Sequence, residues 1–287
     1  MPANRMRHLG GFLMVAALLL SPLSACGSDG GSDEAVSTTV APSTSEPTAE
    51  NDVLSVAIPL CEAYGDVDEP GGVDEVLALM ADDIVLTDSV LGASLTGKEQ
   101  VRSYLTSDAF EGIDTNDCGA AVQRGEWGAG AYTLSDSTTT GGGEGIAAMH
   151  VTDGKVDAQI NYYTPVDSGA EAPPAETVDD SVVVDYCNAW NDSVDADQVL
   201  SYLTDDATLT LLAPIEGKDA IREFIDTSFD FDQNDCDDVA VVHAGWGAAA
   251  NTFTNSESGL TVSGVNIVRL TDDGQISEHH VHMEAPA

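Results

Sequence analysis

The residues best suited to chemistry lie in the last strand-like segment, where three of the six histidines stand between two glutamates. Alternate residues of a strand point to opposite faces, so His280 and His282 share a face with both glutamates, and His279 lies on the other. Two histidines so spaced could chelate a metal ion at an interface. Alternatively, this is a polar strand whose histidines are solvated or hydrogen-bonded. The segment is Glu278-His279-His280-Val281-His282-Met283-Glu284.

Cysteine is the second reactive residue type. Four of the five cysteines lie beyond the amino-terminal segment, and three pairings are open to them. They occupy equivalent positions in two similar halves of the chain, which favours one bridge within each half. Free buried thiols are the alternative, and a zinc site is disfavoured because no CxxC spacing occurs. The favoured bridges are Cys61–Cys118 and Cys187–Cys236.

The amino terminus has the pattern of an export signal. Two arginines precede an apolar run of nine residues, Phe12–Leu20, which is too short to span a bilayer. The following Leu23-Ser24-Ala25-Cys26 resembles the lipobox of bacterial lipoproteins, in which the chain is cut before a lipidated cysteine. The resemblance implies a signal peptide at 1–25, lipidation of Cys26, and a location on the extracytoplasmic face of the bacterial cell membrane. The alternative is an ordinary secretory signal with a chance cysteine.

The charge of the chain limits its partners. Nine Lys and Arg stand against 50 Asp and Glu, a formal net charge of −41, so this is an acidic protein. Such a surface repels phosphate, which argues against nucleic acid as a partner. Anionic lipid headgroups are repelled for the same reason. Contact with a membrane is therefore expected through the lipid anchor only.

Two segments are predicted to be linkers. Residues 26–52 are rich in Ser, Thr, Gly, Pro and acids, so they offer little apolar surface to offset the entropy of ordering. They form a tether that spans roughly 25–30 Å as a coil. Residues 166–180 contain Ser168-Gly169 and Pro173-Pro174 and are predicted to join two domains.

Beyond the tether, the sequence consists of two similar halves. The offset between matching residues falls from 126 at Cys61 and Cys187 to about 120 near the end, which indicates a domain duplication rather than a solenoid. The predicted domains are 53–165 and 181–287. The matching strings are Val76–Asp83 with Val199–Asp206, Gly97–Tyr104 with Gly217–Phe224, Asn116–Cys118 with Asn234–Cys236, Trp127–Ala129 with Trp246–Ala248, and Asp153–Val156 with Asp273–Ile276.

The second half shows the predicted elements most clearly. Apolar residues at helical spacing predict helices over 183–191, 196–203 and 218–226. Asp205 and Asp206 are expected to end the second helix, before a strand over 207–212. Short strands follow from Val239 onward, with a hairpin turn at 271–274. The order α-α-β-α-β-β-β predicts an α+β fold in which helices cover one face of an antiparallel sheet.

These strings resemble the nuclear transport factor 2-like superfamily, which includes ketosteroid isomerase and the SnoaL-like polyketide cyclases. The similar segments are Leu203–Leu209, Gly217–Phe224 and Asp273–Ile276. The resemblance implies two tandem cone-shaped domains, each a curved antiparallel sheet wrapped by about three helices, a cystatin-like α+β roll with one pocket. It says little about function, because one fold hosts many activities.

The first repeat matches only one of the three catalytic positions that the resemblance to ketosteroid isomerase implies. That enzyme uses a carboxylate base after its first strand and an oxyanion hole formed by a tyrosine and a protonated acid. Asp88 falls at the base position, whereas Leu60 and Ala147 fall at the two donor positions and can donate nothing. Asp88 is the catalytic candidate here, and its alternative role is a solvated or capping residue at a strand end.

The second repeat has the opposite set. Tyr186 and Asn266 fall near the donor positions, but Leu211 takes the place of the base. The terminal histidine strand is similar to a Glu-His-Trp-Asp strand of SnoaL-like proteins, with His280 and Val281 in place of Trp and Asp. This analogy puts His279 in the pocket beside Tyr186 and Asn266, and makes it the second catalytic candidate.

The sequence therefore favours binding over catalysis, since neither half holds a full catalytic set. We expect a membrane-anchored lipoprotein that binds a small apolar ligand or an envelope protein, without a cofactor. The rival hypothesis is a SnoaL-like isomerase, cyclase or dehydratase that uses Asp88 or His279. A tandem copy also raises the effective concentration of one domain near the other. We therefore expect a monomer in which the outer face of 156–162 packs on Glu278, His280 and His282.

Overall fold

The computed structural model describes residues 52–90, 92–107, 113–136, 142–165, 179–191 and 194–284. The predicted signal peptide at 1–25, Cys26 with the tether as far as residue 51, and linker residues 166–178 lie outside this part of the chain. No helix in the described ranges is long and apolar enough to cross a membrane.

The first domain has three helices and a six-stranded sheet in the order β2-β1-β6-β5-β4-β3. Strands β1 and β6 are parallel and the other neighbours antiparallel, so the sheet is mixed rather than wholly antiparallel. The elements are α1 Val53–Tyr64, α2 Gly72–Leu79, β1 Met80–Asp88, β2 Ala93–Thr96, α3 Lys98–Leu105, β3 Ile113–Arg124, β4 Trp127–Asp136, β5 Gly142–Thr152 and β6 Lys155–Pro165.

The second domain repeats this topology, with the order β8-β7-β12-β11-β10-β9 and a parallel pair β7–β12. The expected α+β class is confirmed, although each domain has two strands more than the sequence predicted. The elements are α4 Ser181–Asn188, α5 Ala196–Ser201, β7 Leu203–Thr210, β8 Pro214–Glu216, α6 Lys218–Thr227, β9 Gln233–His243, β10 Trp246–Asn255, β11 Leu260–Leu270 and β12 Ile276–Met283.

The boundary between α5 and β7 differs from the predicted one. The strand begins at Leu203 and includes Asp205 and Asp206, which were expected to end a helix. Both aspartates are exposed, whereas Leu203 and Ala207 are buried. A register shift against β12 separates these two buried residues. The strand therefore reaches the core at both positions while its acidic residues face solvent.

Each domain has its own core and its own disulfide. The helices pack their apolar residues on one face of each sheet, in two separate buried clusters. Cys61 of α1 is bonded to Cys118 of β3, and Cys187 of α4 to Cys236 of β9, which confirms the favoured pairing. The bridges close separations of 57 and 49 residues and tie the first helix of each domain to its edge strand. Such bonds are compatible with an oxidising compartment.

The outer faces of the two sheets pack against each other in a third buried cluster, here called the inter-sheet layer. Small side chains such as Ala131 and Ala248 lie at its centre, which lets the sheets approach closely. Ile160 and Tyr162 of the expected surface belong to this layer, but Val156 lies in the first domain's own core. The buried members are Val122, Ala129, Ala131, Ile146, Ala148, Tyr162, Val241, Trp246, Ala248, Ala250, Val265 and Ile267.

Contacts in the inter-sheet layer come in matched pairs. Tyr162 bonds its own counterpart, His282, at 2.9 Å between Oη and Nε2. Trp127 stacks on His282 with ring centroids 5.0 Å apart, and its counterpart Trp246 lies 5.2 Å from Tyr162. Such reciprocity is the property of a two-fold interface between like subunits. The two tryptophans therefore belong to the contact between the sheets.

Candidate functional site

The second domain encloses a cavity of about 220 Å³, here called the aromatic cavity. Engineered apolar cavities of about 150 Å³ take up benzene, so this volume has room for a substituted ring. Its walls come from α6 and the segment after it, from the end of α4, and from four strands. The lining residues are Trp190, Leu209, Leu211, Phe224, Ser228, Phe229, Asp230, Phe231, Phe253, Asn255, Ser258, Leu260, Val262, His279, Val281 and Met283.

Aromatic rings contact one another along this wall. Phe229 is central: its ring centroid lies 5.1 Å from that of Trp190 and 5.5 Å from that of Phe253. Phe231 lies 5.6 Å from Phe253. Phe229 and Phe231 follow α6 directly, and α6 itself contributes Phe224. The wall is therefore assembled from three separate parts of the second domain.

The structure brings together the three predicted pocket residues Tyr186, Asn266 and His279. The Tyr186 hydroxyl lies 2.9 Å from His279 Nδ1, and His279 Nε2 lies 2.9 Å from Asn266 Oδ1. All three are buried. Only His279 of the three also lines the aromatic cavity. Tyr186 and Asn266 therefore act behind the cavity wall, on the ring of His279.

Two asparagines extend this arrangement into a buried amide chain. Asn266 Nδ2 donates to Asn251 Oδ1 at 2.8 Å, and Asn251 Nδ2 donates to Asn234 Oδ1 at 2.7 Å. Asn234 Nδ2 then donates to the carbonyl oxygen of Cys187 at 2.7 Å. Asn251 is completely buried, and Asn234 is nearly so. The chain links β12, β11, β10, β9 and α4 in series.

The backbone carbonyl at the end of the amide chain fixes the direction of every bond. A carbonyl only accepts, so each asparagine must donate toward it through its amide nitrogen. Asn266 Oδ1 is then an acceptor, which places the proton of the neutral His279 ring on Nε2. His279 Nδ1 accordingly accepts from Tyr186, whose own pKa burial raises far above its usual range.

The protonation state of His279 agrees with this pattern. Burial, with smaller contributions from His280 and His282, lowers the pKa of His279 from 6.5 to about 3. The ring is therefore neutral at physiological pH. Both of its nitrogens are engaged within the protein. It presents no free lone pair and no exchangeable proton to a molecule in the cavity.

Asp88 in the first domain is buried, at 3% exposure, rather than solvated. Its Oδ2 accepts hydrogen bonds from the Tyr104 hydroxyl at 3.0 Å and the Tyr163 hydroxyl at 3.1 Å. Its Oδ1 accepts from the backbone nitrogen of Val90 at 3.1 Å, which closes a turn after β1. Both tyrosine pKa values are raised by burial and by the carboxylate. Asp88 thus holds two tyrosines and a turn together.

The first domain has a much smaller cavity, of about 60 Å³. Leu60 and Ala147 line it where the second domain has Tyr186 and Asn266. Gln159 replaces His279 and accepts from the Tyr64 hydroxyl at 3.1 Å. Asp88 is not part of the lining. The buried carboxylate and the cavity are therefore separate features of this domain.

His280 and His282, the candidate metal ligands, lie in the inter-sheet layer. His280 Nε2 lies 3.1 Å from Glu278 Oε2, and His282 Nε2 is bonded to Tyr162. Within the described ranges, no group of three or more His, Cys, Asp or Glu residues is arranged to hold a metal ion. Burial lowers the pKa of His282 to about 4. These histidines thus take part in contacts between the sheets.

Sequence reasoning missed Asn234, Asn251 and the aromatic segment after α6. Asn234 stands in the repeated Asn-Asp-Cys string, which served only to align the halves. Asn251 directly follows the run Ala248-Ala249-Ala250, and an amide next to three alanines in a strand was an available signal. Its partners lie on neighbouring strands, so its role depends on strand register.

Comparison with known proteins supports the family resemblance for the second domain. Residues 183–279 match the family model of the SnoaL-like domain. No curated protein matches the chain. Solved structures similar to it include a SnoaL-like protein of unknown function from Burkholderia thailandensis, at 17% identity and TM-score 0.34, covering 41% of this chain and 99% of that one.

Two further structures are similar at the same level. One is an NTF2-like protein of unknown function from Burkholderia xenovorans, with 14% identity and a TM-score of 0.33 over 42% of this chain and 88% of that one. The other is an LEH-like epoxide hydrolase of M. tuberculosis, with 15% identity and a TM-score of 0.34 over 39% of this chain and 82% of that one.

Proposed function

We propose that this protein is a lipid-anchored, extracytoplasmic binding protein whose second domain holds a small apolar molecule without transforming it. The support is the aromatic cavity, which has the volume of a substituted ring and a largely apolar lining. The lipobox-like segment ending at Cys26 and the two disulfides support the location.

The state of His279 is the observation on which binding without turnover rests. A general base needs a free lone pair and a pKa near the working pH. His279 has both nitrogens engaged and a pKa of about 3. Among the described residues it is the only histidine of the lining, and the lining residue Leu211 falls where the resemblance to ketosteroid isomerase places the base. His279 therefore contributes shape and surface to the cavity and is not a proton acceptor of suitable strength.

The rival enzymatic function rests on Asp88. This carboxylate accepts three hydrogen bonds from its own domain and lies outside the lining of the small first cavity. A substrate would have to displace Tyr104 or Tyr163 to reach it. The geometry favours a structural role, and we do not propose catalysis at this position.

Binding can be tested by filling the cavity with the first domain's own residue. Met283 corresponds to Tyr163, so Met283→Tyr should reduce the free volume and abolish uptake of tert-butylbenzene. Leu134→Phe is the control: it places the second domain's residue in the first domain's cavity and should leave uptake unchanged. Equilibrium dialysis of the purified Cys26→Ser chain measures both. Equal uptake by Met283→Tyr and the parent chain would contradict binding in the aromatic cavity.

The lipid anchor has its own test. Cys26→Ala should release the protein into the medium, because a free chain with net charge −41 has no affinity for an anionic membrane surface. Fractionation of cells producing each form measures this. Retention of Cys26→Ala in the membrane fraction would mean that another segment holds the protein there.

A further inference from the structure

The charge of the aromatic cavity is as informative as its volume. Asp230 and His279 are its ionisable residues, and His279 is uncharged at physiological pH. No lysine or arginine of the described ranges lines it. The two cations of the adjacent helix α6 are engaged elsewhere, Lys218 with Asp205 at 3.3 Å and Arg222 with Asp197. Among the described residues, a ligand in this cavity therefore meets one negative side chain, that of the exposed Asp230, and no positive one.

The aromatic rings of the cavity wall also favour positive charge, as Asp230 does. Each ring has a negative face, which attracts a cation placed over it. Tryptophan attracts a cation most strongly of the aromatic residues, and the lining contains Trp190 together with four phenylalanines. Quaternary ammonium groups are recognised by such sets of rings in other proteins. Two of these rings are shielded from solvent, since Trp190 and Phe253 are only 4% and 6% exposed, and the three other phenylalanines are half-buried.

The whole molecule adds a long-range contribution. A net charge of −41 raises the local concentration of cations and lowers that of anions, most strongly in clefts with low-dielectric walls. An organic anion of suitable shape would find no counter-ion among the lining residues. Leu211 and Leu260, each more than one-third exposed, add apolar surface to a rim that also holds Asp230.

We propose that the aromatic cavity selects an organic cation, a quaternary or protonated amine with an apolar substituent of about one ring, over neutral and anionic molecules of the same shape. The positive group lies against the rings and near Asp230, and the substituent fills the apolar part. This inference rests on the proposed binding function and specifies its ligand class.

Three probes that share a phenyl ring test the selection on the purified Cys26→Ser chain. They are phenyltrimethylammonium, its neutral isostere tert-butylbenzene, and benzoate. Dissociation constants come from equilibrium dialysis. The cation should bind about fivefold tighter than tert-butylbenzene, the ratio that a cation–π contact at a partly exposed site provides, and benzoate weakest. Equal or tighter binding of tert-butylbenzene would overturn the selection while leaving the binding function intact. If none of the three binds, the binding function itself fails.

Variants separate the two sources of selectivity. Phe231→Leu keeps an apolar side chain but removes a ring, and Asp230→Asn removes the charge. Each should lower the ratio of cation to neutral affinity by about twofold to fivefold, mainly by weakening the cation. Leu260→Ala is the matched control, because it should weaken both probes to a similar degree. An unchanged ratio in both Phe231→Leu and Asp230→Asn would overturn the proposal.

Discussion

At equivalent positions of the two sheets, the second domain has hydrogen-bonded polar side chains and the first domain has a different set of residues. In the second domain, His279, Asn266 and Asn251 form a continuous buried amide chain. In the first domain the same positions hold Gln159, Ala147 and Tyr132. The first domain keeps the buried Gln159 at one of these positions and adds a buried carboxylate at the end of β1, where Asp88 binds two tyrosines. One fold thus accommodates a buried amide chain in one domain and a buried carboxylate with two tyrosines in the other.

Both domains have an asparagine at one further position, Asn116 in the first and Asn234 in the second. Asn234 Oδ1 accepts from Asn251, whereas the buried Oδ1 of Asn116 has no hydrogen-bond partner. The difference arises because Tyr132 replaces the amide that would donate to it. The first domain also has a larger side chain at the position of Met283, where it holds Tyr163. The satisfied amide chain and the larger cavity therefore occur together in the second domain.

The largest expected effect comes from the middle of the amide chain. Asn251→Leu leaves a buried acceptor on Asn234 and a buried donor on Asn266, which should lower the free energy of unfolding by about 3 kcal/mol. Tyr132→Phe, at the same position of the first domain, should cost less than about 1 kcal/mol. Urea denaturation, with hydrogen exchange to localise the loss, measures both. Equal costs would mean that the amide chain does not distinguish the domains.

A pH dependence is the next effect in size. His279 has a pKa of about 3 in the folded state, and an unfolded histidine titrates near 6.5, so the unfolded chain binds the proton first. The stability from neutral His279 is complete above pH 6.5 and decreases as the pH falls toward 3. Between pH 6.5 and 5 the decrease is about 2 kcal/mol.

His279→Gln installs the first domain's residue and removes this proton linkage. Its free energy of unfolding should fall by about 2 kcal/mol less than that of the parent chain over the same pH interval. Urea denaturation at several pH values measures the two slopes. Parallel slopes would show that His279 is not buried in its neutral form.

The smallest expected effect concerns Asp88. Asp88→Asn keeps an acceptor oxygen but loses the charge on which Tyr104 and Tyr163 converge, which should cost about 1 kcal/mol of stability. Binding of phenyltrimethylammonium in the second domain should not change. Substrate turnover that is present in the parent chain and lost in Asp88→Asn would reverse the assignment and make the first domain the active one.

The sequence by itself determined the duplication, the α+β class and the disulfide pairing. These follow from local periodicity and from equivalent positions in two halves, which are properties of a linear string. It also placed Tyr186, Asn266 and His279 near one another, through the family resemblance. Its helix boundary at Asp205 was wrong, because two exposed acids at a strand bulge look like a helix end when burial is unknown.

Only the tertiary structure decided what the site contains. Asn251 joins Asn234 and Asn266 because β9, β10 and β11 pair in one register, and a shift of one residue would turn its side chain to the other face. The engagement of both His279 nitrogens depends on distances between α4, β11 and β12 that no local pattern encodes. The aromatic wall likewise forms where separate segments meet around the same space. Contacts between distant segments are set by packing. Packing therefore decided that His279 lines the cavity with both nitrogens engaged and does not act as a general base.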